Sequence, residues 1–132
     1  MKQHWSDAQV VKIDAKPAGH WQKVLDVVAP KTVLRIEAAG EWTVGGLDSS
    51  PDGVLVAPVE SRALADYPAG ALLGKCGGST SGSKEGTIFA IGSYCIVQTG
   101  DAPAPLFAAV NVSPSAALTA ANQIELTITE AE

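Results

Sequence analysis

The residues of this chain that could do chemistry are few, and the most telling group is the stretch 111–122, Asn-Val-Ser-Pro-Ser-Ala-Ala-Leu-Thr-Ala-Ala-Asn, which carries no charge. Such a segment can exchange neutral hydrogen bonds through its amides and hydroxyls, but it brings no carboxylate to a hard cation such as calcium. Two loose pairs of carboxylates can be drawn from the chain, Asp48 with Asp52 and Glu37 with Glu41. General acid/base work needs one carboxyl held in desolvating surroundings, and nothing in the sequence marks any of the four as desolvated or poised for it. Histidines stand only at positions 4 and 20, beside Trp5 and Trp21, with no strained serine elbow to make a triad. The segment Gly74-Lys75-Cys76-Gly77-Gly78 lacks phosphate-loop spacing and leads into another strand pattern, not a helix N-terminus. Cys76 and Cys95 lie in apolar runs without clustered histidines, so they make no zinc set; they read as small buried hydrophobes, with a disulfide as the alternative if their strands are neighbours. No cofactor, no metal and no catalytic residue is expected, and the protein reads as non-enzymatic.

What remains is recognition chemistry. Asp48, Asp52, Asn111, Thr119 and Asn122 are the candidate hydrogen-bond partners for a ligand. Asp52 also fits a turn former in 48–53, Asp-Ser-Ser-Pro-Asp-Gly, where Asp and Ser bond their own backbone. Trp42, at the end of a strand pattern after Gly40-Glu41, is the candidate flat platform, whereas Trp21 opens an apolar run and reads as core. The tripeptide Asn111-Val112-Ser113 matches a glycosylation acceptor, which without a secretory signal reads as coincidence.

These residues must be held by short strands. Residues 123–129 alternate strictly, with Ile124, Leu126 and Ile128 on one face, and 32–39 repeat the design with Leu34, Ile36 and Ala38 inward before Gly40. Shorter β patterns cover 10–13, 21–28, 54–56, 71–76, 87–91, 94–98 and 106–111, each bounded by Gly, Pro, Asp or Ser. Roughly nine short strands at near-regular spacing point to an all-β antiparallel sandwich or barrel. The one helical possibility, 60–66, is too short for more than a turn or two before Pro68. At 132 residues the chain fits one domain, and its 46% hydrophobic residues suffice for one core. A formal charge of −5 and lysines spread along the chain leave no basic stripe, so nucleic acid is not an expected partner. No apolar run reaches membrane-spanning length, and the first residues lack an apolar signal region, so a soluble protein made in the cytoplasm is expected, with export by a signal-less route left open.

The order of these pieces carries a resemblance: Trp5, Val10-Val11, Pro17-Ala18-Gly19, 24–28, the Ala38-Ala39-Gly40 strand end, Ser50-Pro51-Asp52-Gly53, 70–75, and 111–128. In that order the chain resembles the bacterial galactophilic lectins of the PA-I type and related lectin-like jelly-roll domains. The resemblance implies a small jelly-roll sandwich with a galactose-binding-like site where the loop after Ala38-Ala39-Gly40 meets the loop before the last strand. It also implies a calcium-bridged sugar and oligomers. Val112 falls where the family has its bidentate calcium aspartate, and Thr119 and Ala120 fall where it has two asparagines; Val44 and Ala116 fall where it uses backbone carbonyls. Ser50 and a gap beside Gly53 replace the family's sugar-contacting His and Gln.

Two functions follow as expectations. One is a lectin-like carbohydrate-binding module that works without calcium; the other is a protein-interaction or accessory domain that keeps the scaffold. A homo-oligomer is compatible with either, since small sandwiches self-associate through sheet faces and edges.

Overall fold

A computed structural model describes residues 5–17, 20–54, 62–77, 87–113 and 117–131. The strands are β1 (Gln9–Ile13), β2 (Gln22–Val28), β3 (Val33–Ala39), β4 (Trp42–Val44), β5 (Leu47–Ser49), β6 (Leu72–Cys76), β7 (Thr87–Ala90), β8 (Tyr94–Gln98), β9 (Ala104–Val110), β10 (Leu118–Thr119) and β11 (Ile124–Glu130). They form two four-stranded sheets, ordered β1-β11-β3-β8 and β2-β9-β6-β7, and a small sheet ordered β10-β4-β5. Every ladder is antiparallel, so the chain is an all-β sandwich, as its alternating runs require.

The alternation sorts the side chains. Leu34 and Ile36 of β3 and Ile124, Leu126 and Ile128 of β11 are buried against Leu106, Ala108 and Val110 of β9 in the main core between the sheets. Trp21 is buried, but on the other face of the second sheet, where it packs with Leu73, Phe107 and Ala109 beneath Leu64 and Tyr67. That face also holds Lys75, wholly buried, with its ammonium 5.2 Å from the Trp21 ring centroid and 4.9 Å from that of Phe107. Burial lowers the Lys75 pKa, and the two ring faces offset part of the cost of the charge.

Three features differ from the reading of the sequence. No helix occurs among the described residues: 62–67 run through bends and turns, while 60 and 61 lie outside them. Of the strand expected at 54–56, Val54 makes a single bridge to Ala69 and the rest lies outside the described residues. The third is the small sheet, which the sequence reading left unassigned. Cys76 and Cys95 are free thiols on strands of different sheets. No helix among the described residues is long and apolar enough to cross a membrane.

Candidate functional site

The small sheet builds one of the clefts that the described residues form. Gly45 and Gly46, with φ of 56° and 86°, form the two-residue turn between β4 and β5; both values lie in the left-handed region that a type I′ hairpin needs. Register then fixes which side chains meet. Thr43 is opposite Asp48 on one side and opposite Thr119 on the other. Directly opposed residues of an antiparallel pair share a face with Cβ atoms about 5 Å apart, so Thr119, Thr43 and Asp48 make one polar row across three strands. Val44 and Trp42 alternate to the other face and are buried in the main core.

A cleft of about 360 Å³ opens at the Thr43 and Asp48 end of this row, lined by Glu41, Trp42, Thr43, Asp48, Ser49, Ser50, Ala120 and Ala121. Glu41, Asp48 and Ser50 are exposed. The ion pairs among the described residues, Lys23 with Asp26 and Lys31 with Asp101, leave Glu41 and Asp48 uninvolved. The cleft therefore offers two carboxylates as acceptors, hydroxyls that both donate and accept, and the small apolar surface of two alanines.

The six sequence-derived candidates divide. Asp48 lines the cleft, Thr119 stands in its polar row, and exposed Asn122 follows Ala121 on the same loop. Trp42 does not serve as a platform: it is 3% exposed, and its indole Nε1 donates to the Gly70 carbonyl at 2.9 Å. Its alternation with Thr43 sends the ring into the core, which corrects the expectation of stacking. Ser49 Oγ donates to the Ser50 carbonyl at 2.9 Å and lies 3.4 Å from the same Gly70 carbonyl.

Asn111 is also withdrawn from any ligand. It is fully buried and its amide is saturated. Nδ2 donates to the carbonyls of Leu64, Tyr67 and Pro68 at 3.0, 3.0 and 3.1 Å, and Oδ1 accepts the Leu64 N–H at 2.8 Å. The side chain thus ties 64–68 to the end of β9. The same burial leaves the glycosylation tripeptide unreachable. Asp52 is exposed but does not line the cleft: its carboxylate accepts the Ser93 N–H at 2.8 Å and the Ser93 hydroxyl at 3.1 and 3.0 Å. It clamps the turn after β5 to the start of β8, which extends its turn-forming role.

Calcium does not fit what is present here. Val112 is an apolar side chain 1% exposed, and the neighbouring Asn111 oxygen is already used by Leu64. Among the described residues no three His, Cys, Asp or Glu side chains gather as a metal set. The lining residues that the sequence reading missed are Thr43 and Ala121, together with Glu41, which had been weighed only as a catalytic acid; Ser50 had been placed at a sugar-contacting position only through the resemblance. The signal was available in Gly45-Gly46 flanked by Trp42-Thr43-Val44 and Leu47-Asp48-Ser49, a two-glycine hairpin between alternating triplets. No family model matches the chain, and no curated protein matches it.

Proposed function

We propose that the protein is a non-catalytic, lectin-like carbohydrate-binding module of the jelly-roll kind that takes its ligand in the cleft over the small sheet without calcium. The observation that carries this reading is the row Thr119, Thr43 and Asp48, with Glu41 at the strand entry and Ala120-Ala121 beside it. Sugar recognition needs acceptors for adjacent hydroxyls and a small apolar surface for ring C–H groups, and this cleft combines both. The cleft also lies between the loop after the Ala38-Ala39-Gly40 strand end and the loop before the last strand, the place implied by the resemblance to galactophilic lectins. With Trp42 buried, affinity rests on hydrogen bonds, so binding of single sugars is weak and multivalent display strengthens it.

A glycan-array screen with and without calcium tests the reading. Saturable, competable binding that persists in EDTA and is lost in Asp48→Asn and Glu41→Gln supports it; silence in both conditions overturns it. The second reading, a protein-interaction or accessory domain, draws on Tyr94 and Ile96, large side chains 54% and 56% exposed on the first sheet. A flat apolar patch around Leu118 would favour it further, but Leu118 packs against the main core.

A further inference from the structure

We propose that the protein self-associates through the free edge of β8, two copies pairing antiparallel about a two-fold axis at Ile96 and joining their first sheets into one continuous sheet. The argument begins with backbone polar groups. Ala38 N–H donates to the Ser93 carbonyl at 2.9 Å and Thr99 N–H to the Thr32 carbonyl at 2.8 Å, at the two ends of the β3–β8 register. Antiparallel pairing alternates, so Cys95 and Val97 also turn their main-chain groups to β3. Those of Tyr94, Ile96 and Gln98 point away from it. Among the described residues no strand lies on that side of β8, and none of these groups has a partner.

The other sheet edges carry protection that β8 lacks. β2 is bulged at two places along its pairing with β9 and presents Lys23 and Asp26. β1 carries Lys12, β7 has four residues, and β5 has three with Asp48 among them. β8 is five uncharged residues, Tyr-Cys-Ile-Val-Gln, in unbroken register. Bulges, charges and short length are the usual defences against edge pairing, and none is present here.

The strand is also complementary to its own reverse. Centred on Ile96, the pairing sets Ile96 against Ile96 of the second copy, Tyr94 against Gln98, and Cys95 against Val97. The outward pairs at Tyr94, Ile96 and Gln98 each exchange two hydrogen bonds. The inward pairs bring together Cys95 and Val97, which already pack on the main core. No like charges meet. The Asp52 clamp on Ser93 holds the start of β8 in place, so the edge is presented in an ordered form. One edge pairing buries less than the roughly 1,200 Å² of standard stable interfaces, so the dimer is a reversible one that forms in the micromolar range.

The test is the mass of the full chain by analytical ultracentrifugation from low to high micromolar, with hydrogen exchange on the same samples. A concentration-dependent monomer–dimer equilibrium is expected, with exchange at the Ile96 and Gln98 amides slowing as dimer forms. Ile96→Glu alters a side chain already in solvent, stands opposite Arg35 of its own sheet and keeps the wild-type melting temperature, but sets two like charges opposite each other across the seam; dimerisation weakens about tenfold or more. Ile96→Val keeps the dimer. A wild type that stays monomeric at high micromolar overturns the proposal, and so does a dimer that Ile96→Glu leaves intact with these amides still exchanging fast.

Discussion

Replacing Asn111 separates a structural role from a ligand-binding one. Asn111→Ala removes the side-chain partner of the Leu64 N–H and of the Leu64, Tyr67 and Pro68 carbonyls. Each such bond contributes about 1 kcal/mol net, and a donor or acceptor left buried costs about 1–3 kcal/mol more. Tyr67 and Pro68 are only half-buried, so their carbonyls can turn to water, whereas the void at the wholly buried Asn111 site cannot close easily. The expected loss is about 3 kcal/mol, which for a chain of 132 residues corresponds to roughly a 10 °C fall in melting temperature. Asn111→Asp is worse at neutral pH, because a carboxylate then faces three carbonyl oxygens and offers them no proton. The introduced group has its folded pKa raised above its unfolded value, so the stability it retains is present at low pH and lost as pH rises through that folded pKa. Thermal denaturation followed by circular dichroism, at neutral and acidic pH, reads both effects, and urea titration checks that the midpoint moves without a change in slope. A melting temperature within about 2 °C of wild type for both variants would refute the reasoning and return Asn111 to the list of ligand contacts.

Trp42→Phe removes the indole donor from the Gly70 carbonyl and lowers stability by about 1–2 kcal/mol, with glycan binding unchanged; lost binding at retained stability would contradict its placement in the core. Calcium and EDTA leave the melting temperature where it is, since a ligand stabilises only by binding the native state, and a reproducible rise with calcium would overturn the exclusion drawn from Val112 and Asn111. Burial raises the Cys95 thiol to about 11 from 9.0, so near pH 8 it carries about a hundredfold less thiolate than an ordinary cysteine and alkylates correspondingly slowly in the folded chain. Because the folded pKa is the higher one, the stability contributed by the buried neutral thiol is fully present below pH 9 and is lost as pH rises towards 11, a loss that Cys95→Ala diminishes in alkaline melting curves.

The sandwich itself was legible in the chain. Ile124, Leu126 and Ile128, and Leu34 and Ile36, recur every second residue between polar neighbours, and that period alone decides which face is buried. The strand pattern 94–98 also matched β8 at its observed bounds, and the apolar run that Trp21 opens marked it as core. Three-residue strands fall below what alternation can resolve, so β4 and β5 were hidden although Gly45-Gly46 marked their turn.

The candidate site divides along the same line. An asparagine, a tryptophan and two aspartates announce hydrogen bonding and apolar surface in the sequence, but not who receives them. Asn111 meets Leu64 across 47 positions, and Asp52 meets Ser93 across 41. Those partners are chosen by strand register and by the path of 62–68 over the second sheet, both set by non-local packing. The residue types were therefore determined by the sequence alone. Only the tertiary structure decided that Asn111 and Trp42 spend their polar groups inside the protein, while Thr43, Asp48 and Thr119 line up in solvent.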